Sequence, residues 1–455
     1  MKKFIPFAAL FCAAFLVLNA FKKAAPEKPA APPPNACGNL AGVEKLVCLA
    51  DEFKSLLTTS QIATLQVGYN LNNAAKWSNF PTNIYPGRLG IRFDALNSTQ
   101  LAKAKELIQA AMGTGNNEGY AEYTQLLAAD KYLSQNGGGN SYGDAIYYIA
   151  FLGNPSTTGT WELQTGGHHL AVANTYSNGV LTGATPSFRG SEPFNPFTID
   201  GNTYAPLVGD RDALAAILAS FSASELATAK LSGTFNDIVL GPQKDWQFPT
   251  TKVGIKCSQL TTVQKNLVLA GIRTYVEDVD PVNAAAIMSV YASQIDDTYV
   301  AYANSTTLAA QRDYIRIDGP RVWIEYSTQN GIVLSGTHPH SVWRDRSTDY
   351  GGLGNPSVGT SGTKEFEGKF VVSPNPTSTH AQVSITLEHS AVVTVNIFDL
   401  SGKKVANGLK LNMTAGDHTL PLDLQHLPKG NYSCILEVKN TNGAVTVATR
   451  QLAKI

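Results

Sequence analysis

The side chains best suited to chemistry in this sequence are its histidines, because imidazole binds metals and exchanges protons near neutral pH. There are eight. His380, His389, His418 and His426 fall towards the C-terminus, and the other four form two close pairs. One pair is His168-His169, in Gln164-Thr165-Gly166-Gly167-His168-His169-Leu170. The other is His338 and His340, in His338-Pro339-His340-Ser341-Val342-Trp343-Arg344-Asp345. On an extended segment residues i and i+2 share a face, so His338 and His340 can reach one metal ion, with Arg344 further along the same side. Imidazole nitrogens hold zinc at about 2.0–2.1 Å, and copper and iron accept the same ligand. Adjacent residues of a regular strand face opposite ways, so His168 and His169 need an irregular turn, which Gly166-Gly167 can permit. The simplest arrangement is one site in a cleft, with His338, His340 and at least one of His168 and His169 within about 7 Å of a common point.

Four charged residues complete the candidate site. Glu325 precedes the second pair and Asp345 follows it. Either carboxylate is a candidate metal ligand or general base. Arg344 and Arg189 are candidates for holding developing negative charge. With a zinc ion that lowers the pKa of a bound water to about 7, this set describes a metal-dependent hydrolase. The same imidazoles also suit copper or iron in an oxidoreductase. Two quieter readings stand beside these. The domain binds a ligand without acting on it, or the histidines form a buried hydrogen-bonded network that stabilises a sheet, with Arg344-Asp345 as a structural ion pair.

The elements that must position these residues are of both kinds. Helix-start signals occur at Thr58…Gln61, Asn97…Gln100, Ser222…Glu225 and Thr261…Gln264. Each is a polar cap followed three residues on by Gln or Glu, which can return a bond to the cap's own N–H. Apolar residues then recur at helical spacing, as in LAKAKELIQAAM and QKNLVLAGIRTYV. The four starts are irregularly spaced, so they read as similar helix starts rather than as a repeat, and a solenoid is not expected. The segments 146–153, 169–177, 314–318 and 321–327 are rich in β-branched and aromatic residues, and Ser177-Asn178-Gly179 reads as a tight turn. Residues 37–352 are therefore expected to form an α+β main domain, a mixed antiparallel sheet with inserted helices. Residues 370–455 have strand signals only, with turns at Ser401-Gly402 and Asn442-Gly443, and about seven short strands there predict a small all-β sandwich.

Composition bounds the function. The chain is 43% hydrophobic and 15% charged with zero formal net charge. That describes a folded protein and argues against nucleic acid as a partner, which needs a positive excess. Lys2 and Lys3, the apolar run Phe4 to Leu18, and Leu18-Asn19-Ala20 read as a signal peptide over residues 1–20, too short to span a bilayer. No transmembrane helix is expected in the mature form. Residues 21–36 are a Pro/Ala-rich linker and residues 353–369 a Gly/Ser-rich one. Export permits disulfides, and Cys37 and Cys48 are close enough to staple the N-terminal segment, whereas Cys257 and Cys434 fall in different domains. There is no P-loop, dinucleotide fingerprint, G-x-S-x-G or H-E-x-x-H motif.

Two resemblances sharpen this. Val372-Ser373-Pro374-Asn375-Pro376, then Ile397-Phe398-Asp399-Leu400-Ser401-Gly402-Lys403, then Leu427-Pro428-Lys429-Gly430-Asn431-Tyr432 resemble the type A C-terminal sorting domain of the type IX secretion system of Bacteroidota. The resemblance implies Sec-dependent export to the periplasm and recognition of residues 370–455 by the type IX machinery. It further implies removal of the tail and a final place outside the cell or on the outer-membrane surface. Gly167-His168-His169-Leu170, then Phe188-Arg189-Gly190-Ser191-Glu192-Pro193, then His338 to Asp345 with Asp349-Tyr350-Gly351-Gly352 resemble a bacterial family known only as domain of unknown function 3500. Its members often carry Asp before the histidine pair, where this chain has Gly167. The resemblance implies the bounds of the unit and no reaction. The reading is a secreted or cell-surface protein acting on an unknown extracellular substrate.

Overall fold

The structure, a computed structural model of the chain, describes residues 37–355, 364–366, 368–399, 404–406, 410–440 and 445–455. The expected signal peptide and Pro/Ala linker, most of the Gly/Ser linker, and the turns expected at Ser401-Gly402 and Asn442-Gly443 lie outside these residues. The first half of the main domain runs α1 (Gly42–Ser55), α2 (Thr59–Leu65), β1 (Gln66–Val67), α3 (Leu71–Ala74), β2 (Ile91–Arg92), α4 (Ser98–Ala110), α5 (Tyr120–Leu133), β3 (Tyr148–Leu152), β4 (Thr160–Gly167), β5 (Leu170–Ser177), β6 (Val180–Gly183) and β7 (Ser187–Gly190). A small hairpin follows, β8 (Phe197–Ile199) and β9 (Asn202–Tyr204). Then nearly the same order returns: α6 (Val208–Ala219), α7 (Ala223–Ala229), β10 (Ile255–Lys256), α8 (Thr262–Val276), α9 (Pro281–Ser293), β11 (Tyr299–Ala303), β12 (Tyr314–Asp318), β13 (Val322–Asn330) and β14 (Thr337–Asp345).

The repetition reaches single bonds. All four helix-start signals form capping boxes, at the heads of α2, α4, α7 and α8. Gln61 and Gln100, 39 residues apart, bond to each other, and so do Glu225 and Gln264, also 39 apart. Gln100 then donates to the Leu56 carbonyl and Gln264 to the Ser220 carbonyl, each 44 residues back. Gly90 and Gly254 both take a positive φ against a strand carbonyl, Ile149 and Val300, where a Cβ would collide. The expectation of similar helix starts without a repeat is therefore corrected. Taken as four the starts are irregular, but taken as two pairs they repeat, and the main domain is an internal duplication.

The sheet order makes the duplication plain: β1-β3-β4-β5-β7-β14-β13-β12-β11-β10, with β2 on β3 and β6 on β5. The seam is the antiparallel pair β7–β14, where Ser187 stands opposite Trp343. The odd residues of β14 face the helices. There Trp343 joins Leu214, Val268, Ile272 and Ile324 in one core, while Trp161, Phe151, Leu107 and Phe53 form its first-half counterpart. Trp161, Trp323 and Trp343 are fully buried, and each such large side chain contributes roughly 1.5–3 kcal/mol by leaving water. The even residues of β14 face the other way. Two excursions of equal length, residues 68–90 and 232–254, cover that face over Trp77, Phe188, Val342 and Tyr350.

A disulfide joins Cys37 and Cys48, and Cys257 and Cys434 are buried free thiols. The tail holds β15 (Lys364–Glu365), β16 (Phe370–Ser373), β17 (His380–Leu387), β18 (Ala391–Asp399), β19 (Lys404–Ala406), β20 (Lys410–Met413), β21 (Gly416–Asp423), β22 (Gly430–Asn440) and β23 (Val445–Lys454). They form two sheets, β15-β23-β22-β18-β19 with β20 on β18, and β16-β17-β21, which share a core that includes Val383, Val395 and Leu436. The chain is thus α+β with an all-β tail. Among the described residues no helix is long and apolar enough to cross a membrane.

Candidate metal centre

The two histidine pairs meet. The last pair of the β4–β5 ladder is Gly167 opposite Leu170, which leaves His168-His169 as a two-residue turn. His169 takes a φ of 100°, a conformation that normally belongs to glycine. Its carbonyl accepts from the Gly190 N–H at 2.7 Å, which ties the turn to β7. His340 stands opposite Gly190 in the seam. A Cβ on Gly190 would come within 3.2 Å of the His340 ring and 3.3 Å of the His169 ring, so the glycine gives both imidazoles their space. His338 shares the face of His340, as alternation on β14 requires.

The result is a convergence of nitrogens. His340 Nε2 lies 3.2 Å from His338 Nε2 and 3.3 Å from His169 Nε2. The ligand atoms of all three residues lie within 4.8 Å of one another. Ligands at about 2.05 Å around a tetrahedral ion stand about 3.3 Å apart, a spacing that the two separations from His340 match. Asp237 Oδ1 lies 3.0 Å from His340 Nδ1. If that nitrogen donates to the carboxylate, the single lone pair of His340 Nε2 faces two neighbouring nitrogens, more than it can accept from. Burial, with the neighbouring imidazoles, pushes His338 down to about 3 and His169 well below the usual histidine range. Those two rings therefore hold lone pairs, the form a metal needs.

His168 lies outside this convergence. Its ring stacks on that of His169, with centroids 3.6 Å apart, and its Nδ1 lies 2.5 Å from Asp130 Oδ1. Asp130 also accepts from the Gly143 N–H at 2.7 Å. His168 still lines the same open cavity of about 370 Å³ as His169, His338 and His340.

The structure does not bring the other four candidates to the histidines. Glu325 is on the same face of the sheet, but its oxygens accept from Val239 N (2.6 Å), Leu240 N (2.8 Å), Tyr314 Oη (2.6 Å) and Trp323 Nε1 (2.8 Å). Burial pushes its carboxyl above the usual range. Arg344 pairs with Asp349 at 2.7 Å and Asp245 at 2.8 Å. Both residues clamp the 232–254 excursion, which carries Asp237. Asp345 and Arg189 point to the helix side. Asp345 pairs with Arg321 at 2.9 Å and accepts from Tyr291 Oη at 2.8 Å. Arg189 pairs with Asp278, and at 3.4 Å with both Glu122 and Asp210. The carboxylates that do reach the histidines, Asp237 and Asp130, stand in no motif and far from either pair in sequence.

Comparison with family models matches residues 40–352 to a family described as "Protein of unknown function (DUF3500)" and residues 371–448 to the "Secretion system C-terminal sorting domain". Comparison with curated proteins finds no match.

Proposed function

The chain belongs to the DUF3500 family, whose description assigns no function, and we propose from the site itself that His169, His338 and His340 hold a metal ion that serves a hydrolytic reaction outside the cell. The sorting domain marks the chain for export to the surface or the exterior. The convergence of three Nε2 atoms carries the proposal. Three imidazoles would hold the ion with room for one further ligand, as in catalytic zinc sites, and the ion would supply Lewis acidity there. Asp237 orients His340 from behind, as carboxylates do for ligating histidines. Asp130 beside His168 Nδ1 favours the tautomer with its proton there and the lone pair on Nε2, and His168, which lines the same cavity, would be the group that takes a proton from water. Glu325 and Arg344 act at one remove, by fixing the excursion that carries Asp237.

Copper is the second reading, because an all-nitrogen donor set suits it as well. The set lacks the carboxylate of the common two-histidine iron sites. Elemental analysis of the protein recovered from its native secretion route tests both. About one zinc per chain is expected, and His338→Ala with His340→Ala should abolish it. Copper in place of zinc moves the chemistry to redox. Wild-type protein that retains neither metal, and binds neither when supplied, refutes the centre.

A further inference from the structure

Three of the chain's exposed large apolar side chains line the histidine cavity: Phe80 (46% exposed), Ile84 (63%) and Ile332 (77%). Scattered exposed apolar residues need no explanation. These three come from two separate segments, the 68–90 excursion and the β13–β14 loop, and collect around one opening. The duplication supplies a comparison. The tripeptide Phe80-Pro81-Thr82 has a like in Phe248-Pro249-Thr250, four positions further along the second excursion. Phe248 turns inward, its ring centroid 6.2 Å from that of Trp323 and 4.9 Å from the Arg346 guanidinium. The second half thus half-buries its phenylalanine against other side chains, and the first half leaves Phe80 exposed at the cavity mouth. The cavity, at about 370 Å³, is of small-molecule size. Imidazoles line its floor, and Phe80, Ile84 and Ile332 form an apolar strip on a rim that is otherwise polar, with Asn79, Gln311 and Arg312 among its residues.

We infer that the site takes an amphiphilic acyl compound, an ester or amide whose apolar chain lies against Phe80, Ile84 and Ile332 while its carbonyl end reaches the three imidazoles. The inference rests on the metal-centre reading. Acetohydroxamate and octanohydroxamate, which share a metal-binding head and differ only in chain, separate the two. Their affinities for the zinc-loaded full chain are to be measured by calorimetry. Each buried methylene should tighten binding about fourfold, so burying three gives about 60-fold in favour of the longer compound. Ile84→Asn with Ile332→Asn, both at exposed positions, should erase most of that preference while zinc content and acetohydroxamate affinity stay unchanged. If acetohydroxamate binds and octanohydroxamate binds no tighter, or if the double variant keeps the preference, the acyl-chain inference is wrong and the centre stands. If the chain retains neither zinc nor copper and binds neither when supplied, the centre is wrong and the inference goes with it; if zinc-loaded chain fails to bind acetohydroxamate, the acyl-compound inference is wrong.

Discussion

Asp237→Asn tests the ligand set without removing a ligand. The carboxylate lies 3.0 Å behind His340 Nδ1 and its side chain is 45% exposed. Removing a carboxylate behind a ligating histidine costs roughly 10–100-fold in metal affinity. Water screens a half-exposed charge, so the lower end applies, about tenfold or 1.4 kcal/mol. Asparagine keeps an acceptor oxygen, and the fold should be untouched. Asp130→Asn is the matched comparison. Asp130 is buried and lies closer to its histidine, 2.5 Å from His168 Nδ1. If proximity to any histidine of the cluster were enough, this variant would lose more zinc affinity than Asp237→Asn. Because His168 stands outside the three converging nitrogens, zinc affinity should be unchanged, and any loss should appear in turnover alone. Competition against a chromophoric chelator near neutral pH reads the affinities, with circular dichroism as a check on folding. A larger loss for Asp130→Asn would exchange the roles of the two dyads and refute the assignment of ligands.

Three further outcomes are expected. Glu325→Gln places an amide where four donors, three of them buried, now meet a carboxylate, so it should destabilise the chain by about 1–3 kcal/mol for each buried donor left unmatched. Urea denaturation reads this, and zinc affinity should fall with it because Asp237 rides on the same excursion. Burial, then the charges of Asp210 and Asp278, raises Glu118 to about 9. A raised carboxyl contributes its stability fully below its ordinary range and loses it as pH climbs towards the folded value. Thermal melts should therefore fall between about pH 4.5 and 9, and Glu118→Gln should flatten that fall; an unchanged slope refutes the assignment. Removing residues 371–455 should stop the protein from reaching the surface or medium of a type IX-competent host, and normal secretion of the truncated chain would contradict the sorting role.

What could be read from the sequence was local. Alternation put His338 and His340 on one face, and each capping box lies within four residues, so these needed no knowledge of distant contacts. The site's other half depended on long-range geometry. Gly166-Gly167 signalled an irregular turn, but which histidine of the pair would join the centre was decided by the bond from Gly190 and the positive φ of His169. Arg344 falls on the face of His338 and His340 as alternation predicts, and Glu325, opposite Val342, shares that face. Sequence does not reveal the excursion whose backbone and acids occupy them, so from sequence they read as site residues. Asp237 was illegible for the same reason, being an unremarkable acid in a covering loop. The four similar helix starts do not read as a repeat in sequence because the two halves share backbone bonds and caps more than side chains, and the stretches between α4 and β3 and between α8 and β11 differ in length.

That duplication also weighs the metal reading against a merely structural cluster. The turn His168-His169 has a counterpart in Pro320-Arg321, which closes β12 on β13. Both turns receive the same backbone bond, Gly190 N–H to His169 O at 2.7 Å and Arg346 N–H to Arg321 O at 2.9 Å. Arg321 makes that bond with an ordinary negative φ and pairs with Asp345. The fold therefore closes this turn without a histidine and without left-handed backbone. At His169 the left-handed conformation costs roughly 1–3 kcal/mol. What the first half gains for it, within the chain alone, is a buried nitrogen aimed at two others, an arrangement that neutral imidazoles satisfy poorly. A stabilising network would have no use for that exchange, since the second half reaches a satisfied ion pair at the same place. A cation bound by all three lone pairs reverses the balance, and strain held at a functional group is what such a site would require.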